Sequence, residues 1–243
     1  MEATGIIFAA LDCDADAIED WNRWYDLDHT PANVVLPGVQ LSRRYVATPE
    51  LHDQRLTRPG SPFEGGRSTF LTIYTLCEEP KATFDVMTSV RERLLAADRM
   101  FADDKKAVRD GDVYRIGPGL ASPDLDVTEA EIPFLCHSAV EVIFRRGSED
   151  VGRWYRKEFA ALSVAVPGVL GLVSFASLNR PGLDIDLVFI EGDAAAVTLE
   201  RRRAVPHHPD AEIVVDGAFL LMEPLRYPWA QAIRDSWLPA TVA

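Results

Sequence analysis

The sequence RWYDLDHTPANVVLPGVQLSRRYVA at residues 23–47 is written a second time as RWYRKEFAALSVAVPGVLGLVSFAS at residues 153–177. The two segments align without a gap, and they share an Arg-Trp-Tyr triplet at their start and a Pro-Gly-Val triplet further on. The repeat predicts that the chain consists of two copies of one small domain. It also supplies an internal control, because a reactive residue that the other copy replaces with an apolar one is not required by the shared fold.

Length and composition fit this interpretation. The 243 residues allow two domains of about 110 to 120 residues each, and an apolar fraction of 47% suffices for their cores. A net charge of −13 argues against binding to nucleic acid, which needs clustered Lys and Arg, and against attraction to anionic membranes. We therefore expect the partner to be a small molecule or another protein.

Targeting and cysteine signals are weak. Residues 1–13 have no basic region before their apolar stretch, and no apolar run approaches the ~18 residues that span a bilayer. The cysteines Cys13, Cys77 and Cys136 are scattered without CxxC spacing, so neither a disulfide framework nor a zinc site is indicated. These patterns predict a cytoplasmic protein that binds no metal, membrane or nucleic acid.

Hydrophobic periodicity predicts the same order of elements, β-α-β-β-α-β, in both copies. In the first copy we expect strands at 5–13, 39–48, 68–77 and 110–117, helices at 15–29 and 81–101, and a new helical turn that starts at Thr30-Pro31. In the second copy we expect strands at 134–144, 169–178, 184–191 and 217–224, and helices at 149–165 and 193–204.

Composition also places the domain limits. The first half spans 1–120, the acidic, proline-flanked residues 121–133 form a linker, the second half spans 134–228, and 229–243 is a C-terminal tail. Trp229 and Trp237 indicate that this tail packs on a domain or a partner subunit. The loop at 49–67 has no counterpart in the second copy, and loops of this length are often lids or binding loops.

The segment WNRWYDLDHTPANVVLPGVQLSRRYVA resembles the EthD-like branch of the dimeric α+β barrel superfamily. The resemblance rests on Trp24, Tyr25, Asp28, His29, Pro37, Gly38, Arg43, Arg44 and Tyr45, and outside this segment only the element order supports it. It implies an α+β fold in which two tandem ferredoxin-like domains pair their antiparallel sheets into one barrel, with the helices outside. Pairing within one chain makes a homodimer possible but unnecessary.

Physical reasoning agrees with this architecture. A four-stranded sheet that carries helices on one side leaves its other face uncovered, so a second sheet must pack on it. A barrel of about eight strands can hold one small ligand in its interior. Relatives of this architecture include cofactor-free monooxygenases, polyketide cyclases, isomerases, decarboxylases and dehydratases, together with haem proteins such as chlorite dismutases and dye-decolorising peroxidases. The fold therefore does not decide the function.

His29 is the first candidate catalytic residue, because the second copy has Phe159 in its place. His29 lies one helical turn after Tyr25, at the predicted end of the helix, where the helix dipole favours a protonated ring. Burial opposes that charge, so we expect a pKa near neutrality that suits proton transfer. The alternative is a half-exposed histidine that caps helix carbonyls.

Arg43 and Tyr45 show the same contrast, since the second copy has Val173 and Phe175. A phenol can donate a hydrogen bond to a developing oxyanion, and a guanidinium can hold a carboxylate or an enolate. We therefore predict that His29, Tyr45 and Arg43 are catalytic and lie in a single cavity of the first half. The alternative is that Arg43 faces solvent and Tyr45 serves packing.

Further candidates for substrate binding surround this group. Asp26 is a better geometric partner for His29 than Asp28, although both carboxylates could simply be solvated. Tyr25 is repeated as Tyr155 and therefore also has a structural interpretation. The predicted substrate-binding residues are Tyr74, Tyr25, Phe70, Asn33, Asp26 and His52, the last one in the loop at 49–67.

Three hypotheses about function remain open. The first is a cofactor-independent lyase, cyclase, dehydratase or isomerase that acts on a small aromatic or polyketide-like molecule by general acid–base catalysis. The second is a non-catalytic protein that binds a small molecule as an auxiliary of a pathway. The third is a haem protein, which needs an axial histidine ligand that faces the cavity. His137, His207 and His208 are the candidates, and no motif singles out any of them. No phosphate-binding loop or nucleophile elbow is present.

Overall fold

The computed structural model describes residues 2–236. Within this range the strands are β1 Gly5–Cys13, β2 Val39–Val46, β3 Leu56–Thr57, β4 Phe70–Leu76, β5 Lys106–Ala121, β6 Ala139–Arg146, β7 Val169–Ser177, β8 Leu183–Ile190 and β9 Glu212–Leu221. The helices are α1 Ile18–Trp24, α2 Thr30–Val34, α3 Pro49–Gln54, α4 Pro80–Ala96, α5 Glu149–Trp154, α6 Ala160–Ser163, α7 Ala194–Ala204 and α8 Ala230–Ser236. A turn of π-helix at Tyr25–His29 joins α1 to α2, and another at Tyr155–Phe159 joins α5 to α6.

Eight of these strands close into one antiparallel barrel. Their order is β2-β4-β1-β5-β7-β8-β6-β9, and β9 pairs again with β2 through Tyr45 opposite Leu221 and Val46 opposite Leu220. The first four strands come from the first half of the chain, and the last four repeat their order from the second half. The predicted α+β fold class, with two ferredoxin-like sheets paired into a barrel, is therefore confirmed. The origin of the two halves in a tandem duplication stays a prediction.

Large side chains fill the barrel interior. Successive residues of a strand point to opposite faces, so Ile6 and Phe8 of β1 belong to the interior core, whereas Ile7 faces the helices. Phe8 packs on Phe144 of the opposite sheet, with 5.0 Å between ring centroids. An interior void beside Phe175 measures only about 10 Å³, room for no more than one water molecule. The expectation of a ligand cavity inside this barrel is therefore wrong, because aromatic rings occupy the space.

The helical stretch after β1 is continuous, which corrects the predicted break at Thr30-Pro31. The backbone keeps right-handed helical φ and ψ from Ile18 through the π turn to Val34. The second half has the same π turn at Tyr155–Phe159 without a proline after it, so Pro31 is not what produces the turn. His29 consequently lies within a helix and not at its C-terminus, and the argument from the helix dipole does not apply to it.

Residues 49–67 fold against one end of the barrel. They contain α3 and β3, and Phe63 is buried with its ring centroid 5.3 Å from that of Phe144. The guanidinium carbon of Arg55 lies 4.5 Å from the centroid of the Phe219 ring. This segment therefore closes the barrel, and none of its residues lines the larger pocket described below.

The linker and the tail also pack on the barrel. Residues 129–134 form a 3-10 turn, so the strand predicted at 134–144 begins only at Ala139. Trp229 of the tail is buried, and its ring centroid lies 5.5 Å from that of Phe70, as expected for a packed tail. Trp237 lies outside the described residues. The limits 1–120 and 134–228 for the two halves remain a proposal. Among the described helices, none has the length and apolarity to cross a membrane.

Candidate functional site

A pocket of about 600 Å³ lies in the first half of the chain, between the sheet and the helices. Strands β1, β4 and β5 form its floor, the helical stretch 18–34 forms one wall, and α4 with residues 100–106 forms the other. We call it the His29 pocket. Its lining includes Ile7, Ala9, Leu11, Trp21, Trp24, Tyr25, His29, Asn33, Tyr74, Phe84, Met87, Thr88, Arg91, Met100, Asp103, Lys106, Val108 and Gly111.

Small residues on the floor make room for the pocket. Ala9 of β1 pairs with Gly111 of β5, at positions where larger side chains would rise toward the helices. A Cβ added at Gly111 would find its nearest neighbours 3.8 Å away, which is ordinary van der Waals distance. The absence of a side chain at Gly111 therefore leaves open space and is not imposed by crowding.

The corresponding layer of the second half is occupied. Phe159, the counterpart of His29, stacks on His207 with 5.9 Å between ring centroids and 12° between planes. Behind them, Arg201 donates to Glu141 at 2.6 Å and to Asp216 at 2.7 Å. Glu141, Arg201 and Asp216 are all buried, so a network of ionic groups fills the space that forms a pocket in the first half.

His29 is held between aromatic rings. Its ring stacks on Trp24 with 4.7 Å between centroids and packs edge-on against Tyr25 at the same distance. Burial, followed by the positive charge of Arg44, lowers its pKa to about 4 against a raising effect of Asp28, and the positive charges of Lys106 and Arg91 add smaller lowering effects. The imidazole is therefore neutral at pH 7, which corrects the expectation of a pKa near neutrality.

Neither nitrogen of His29 has a hydrogen-bond partner among the described residues. Nδ1 is buried and unpaired, whereas Nε2 is not among the fully buried atoms. The hydroxyl of Tyr74 is likewise buried, and among the described residues it makes no hydrogen bond of good geometry, although the side chains of Asn33 and Ser42 lie close enough to lower its pKa slightly against the larger raising effect of burial. Buried polar atoms are nearly always hydrogen-bonded, to water if not to protein. Unpaired groups on the wall of an apolar pocket are what a site that binds a polar ligand atom would show.

Asn33 and Tyr25 support the imidazole from the helix. The Asn33 side chain donates to the carbonyl oxygen of His29 at 2.8 Å and thereby stabilises the π turn. Tyr25 carries the guanidinium of Arg44 at 4.2 Å from its ring centroid. The second half repeats this contact with a different strand, since Arg145 of β6 lies 4.2 Å from the ring of Tyr155. An arginine that packs over this tyrosine is thus common to both halves, whereas, in the part of the chain that the structure describes, the histidine without a hydrogen-bond partner occurs only in the first half, at His29.

Asp26 makes no hydrogen bond or ion pair with His29 in the described structure, contrary to the prediction. It forms a buried ion pair with Arg44 at 2.9 Å and accepts hydrogen bonds from the Leu225 backbone at 2.8 Å and the Tyr227 hydroxyl at 2.7 Å. Asp26 therefore fastens the C-terminal segment to the outside of the helical wall. The interpretation of Asp26 as a solvated carboxylate is also wrong, because its side chain is only 6% exposed.

Tyr45 and Arg43 lie on the other face of the sheet, away from His29. The Tyr45 hydroxyl is 3.0 Å from His137 Nε2, and His137 Nδ1 is 2.8 Å from the carbonyl oxygen of Leu135. Arg43 donates to the carbonyl oxygens of residues 133, 134 and 135 at 2.9 to 3.1 Å. Because β2 alternates, this face points into the barrel interior. The prediction of one cavity shared by His29, Tyr45 and Arg43 is therefore wrong, and these two residues hold the linker.

The structure assigns the remaining candidates to different places. Tyr74, Tyr25 and Asn33 line the His29 pocket. Phe70 is core, packed on Trp21 with 4.9 Å between ring centroids. His52 belongs to α3 at the closed end of the barrel, and burial lowers its pKa. Sequence reasoning missed Gly111, Met100, Arg91 and Lys106. The only signal was at Arg91, because the helical spacing of Phe84, Met87 and Leu94 in the predicted helix 81–101 allows either Val90 or Arg91 on the apolar face.

Comparison with known proteins places the fold. A candidate monooxygenase from Fusobacterium nucleatum is 10% identical over 91% of this chain and 94% of its own, with a TM-score of 0.52. A candidate chlorite dismutase is 14% identical over 95% and 99%, with a TM-score of 0.54. DyPB from Rhodococcus jostii is 11% identical over 92% and 94%, with a TM-score of 0.55. At these identities the likeness shows the ferredoxin-like α+β fold alone.

No family model matches the chain, and no curated protein is similar to it in sequence. The assignment to the EthD-like branch therefore stays a prediction from the segment at residues 21–47.

Proposed function

We propose that this protein is a cofactor-independent enzyme that transfers a proton to or from a small aromatic or polyketide-like molecule in the His29 pocket. A lyase, cyclase, dehydratase or isomerase would use this chemistry. The observation that carries the proposal is the neutral His29 imidazole, which lines an aromatic pocket of about 600 Å³ and has no hydrogen-bond partner on either nitrogen within residues 2–236. A group with a strongly shifted pKa in a pocket is a marker of catalytic sites.

His29 would act as the proton acceptor. Since its pKa is about 4, the ring is neutral and able to accept a proton throughout the physiological range. In the proposed step the substrate loses a proton next to a carbonyl group, the imidazole gains it at Nε2, and the electron pair moves to the carbonyl oxygen. The imidazolium and the enolate then form an ion pair in an apolar site. General base catalysis of this kind contributes roughly 10²- to 10⁴-fold to a rate.

Tyr74 would assist at the developing oxyanion. Burial holds its hydroxyl protonated by raising the pKa well above the ordinary value, so the group is a hydrogen-bond donor. The rings of Trp24 and Phe84, with Met87, would hold the flat body of the substrate by apolar and stacking contacts.

The test compares His29→Phe with the wild type. Phenylalanine is the residue that the second half places at this position, so the fold tolerates it in the same π turn. A panel of hydroxylated and keto-substituted aromatic compounds is first screened for thermal stabilisation, and the compounds that bind are then assayed for turnover by mass spectrometry. We expect turnover in the wild type, loss of at least 10²-fold in His29→Phe, and no comparable loss in His208→Phe, a matched change in the second half.

The same experiment separates the enzyme from a non-catalytic binding protein. Compounds that bind the wild type and His29→Phe equally, without turnover in either, would support the auxiliary binding protein and contradict the enzyme.

Haem is the third hypothesis, and the residues of this pocket do not fit it. A histidine that ligates a metal almost always donates its other ring nitrogen to a carboxylate, a carbonyl or a water molecule, which orients the ring. Nδ1 of His29 is buried without such an acceptor among the described residues. A Soret band that appears when the purified protein is titrated with hemin and is lost in His29→Phe would overturn this conclusion.

A further inference from the structure

The opening of the His29 pocket carries charged groups, whereas its floor is apolar. Arg91 of α4, Asp103 and Lys106 line the pocket at its rim, where Arg91 and Asp103 are exposed to solvent. The floor consists of aliphatic and aromatic side chains from β1, β4 and the helical stretch 18–34. A ligand that fills this pocket therefore meets apolar walls at one end and ionic groups at the other.

The charges at the rim do not cancel. Lys106 donates to Asp103 at 2.5 Å and to the carbonyl oxygen of Phe101, so the charges of Lys106 and Asp103 neutralise each other. Arg91 makes no hydrogen bond and no ion pair with any residue in the described part of the chain. The rim thus keeps one positive charge in excess, in a chain whose net charge is −13.

The positive charge of Arg91 reaches the interior of the pocket. Arg91 and Lys106 are both close enough to His29 to lower the pKa of its imidazole, and Arg91 also contributes to the lowered pKa of Asp103. The remaining acidic residue of the lining, Asp112, pairs with Phe8 in the β1–β5 ladder, on the face opposite to Gly111, and it already forms an ion pair with Arg180 at 2.8 Å. An anionic group at the mouth would therefore be attracted by Arg91 and repelled by no unpaired carboxylate of the lining.

We propose that the ligand of the His29 pocket is a flat aromatic acid, whose carboxylate binds Arg91 at the rim while its ring system lies on the apolar floor. A guanidinium is suited to this role because it offers two parallel N–H groups to one carboxylate. The proposal rests on the proposed function for the location of the site and adds the chemical class of the substrate and the residue that selects it.

The test uses two probes that differ only in charge, naphthalene-2-carboxylate and naphthalene-2-carboxamide. Binding at pH 7 is measured by isothermal titration calorimetry and by the quenching of tryptophan fluorescence, since Trp21 and Trp24 line the pocket. We expect the wild type to bind the carboxylate at least tenfold more tightly than the carboxamide. In Arg91→Gln this ratio should fall below about threefold, with little change in the affinity for the carboxamide.

Two further variants serve as controls. Arg93→Gln removes the same charge from the same helix at an exposed position that does not line the pocket, and it should keep the tenfold ratio. Arg91→Lys retains a positive charge without the two-pronged geometry, and it should give an intermediate ratio. The preference for the carboxylate should weaken as salt concentration rises, because the pair lies at the mouth.

Equal affinity of the wild type for both probes, or no measurable binding of either, would overturn the proposal. A tenfold ratio that Arg91→Gln leaves unchanged would overturn the role of Arg91. If the ratio depends on Arg91 while His29→Phe changes neither binding nor turnover, the anion site stands and the proposed acid–base function fails.

Discussion

Replacement of His29 tests the burial of its ring through stability, without knowledge of the substrate. The pKa of His29 is about 4 in the folded protein, against an ordinary value of 6.5. Between these values the unfolded chain binds a proton that the folded chain does not, so the free energy of unfolding falls as the pH falls from 6.5 toward 4. Above pH 6.5 the ring is neutral in both the folded and the unfolded chain, and the stability of the protein is then free of this loss. At pH 5 the loss amounts to about 2 kcal/mol, since each pH unit corresponds to about 1.4 kcal/mol.

The assay is urea denaturation of the wild type, His29→Phe and His29→Gln at pH 7 and at pH 5. The quantity compared is the difference between the two free energies of unfolding within each protein, so that altered packing cancels to a first approximation. We expect this difference to be smaller in both variants than in the wild type by about 2 kcal/mol. His52 and His137 also have lowered pKa values and are present in all three proteins, so their common contribution does not affect the comparison.

Agreement of the two variants is essential, because phenylalanine and glutamine differ in packing but share the absence of titration. A difference between pH 7 and pH 5 that is the same in all three proteins would refute the burial of an uncharged His29. So would a titration of the His29 ring by nuclear magnetic resonance in the folded protein with a midpoint near 6.5.

Three other substitutions test the pocket and the packing of the fold. Gly111→Phe should place a ring in the His29 pocket and weaken binding of the naphthalene-2-carboxylate probe at least tenfold in calorimetry, with a melting temperature close to that of the wild type; unchanged affinity would contradict the location of the site. Gly5→Ala should destabilise the protein by at least 2 kcal/mol in urea denaturation, since its Cβ would lie 2.1 Å from a backbone oxygen of β5, and a smaller effect would mean that the strands separate easily. Arg201→Met should lower the free energy of unfolding by about 3 to 5 kcal/mol in urea denaturation, because Glu141 and Asp216 would lose a shared buried cation. An unchanged free energy of unfolding would show that one of the two carboxyl groups takes up a proton at little cost.

The fold was predictable because its signals are local and repeated. Strand alternation, the two Arg-Trp-Tyr segments and the order β-α-β-β-α-β specify each half, and the uncovered face of a single sheet requires a second sheet. The failures at Thr30-Pro31 and at the start of β6 have local causes. A π turn carries the helix through the proline, and the 3-10 turn at residues 129–134 occupies the start of the predicted strand.

The sequence identified His29 as a residue of the site, but it did not predict where in the fold the pocket lies. The contrast of His29 with Phe159 indicated a residue that the fold does not need, and the structure places that residue on the wall of the pocket of about 600 Å³ between the sheet and the helices. The same contrast at Tyr45 indicated chemistry where the structure shows a structural hydrogen bond to His137. A polar residue in one copy can therefore serve either a ligand or the fastening of a neighbouring segment, and the sequence does not distinguish them.

The sequence by itself determined the repeat, the element order, the acidic charge and the two faces of each strand. Only the tertiary structure decided which face carries the pocket, because both faces of each sheet are covered, one by the opposite sheet and one by helices. Alternation separates the two faces but does not say which has room. That depends on the summed volumes of side chains from distant segments, with Phe8, Phe63 and Phe144 filling the interior and Ala9 and Gly111 leaving space beneath the helices.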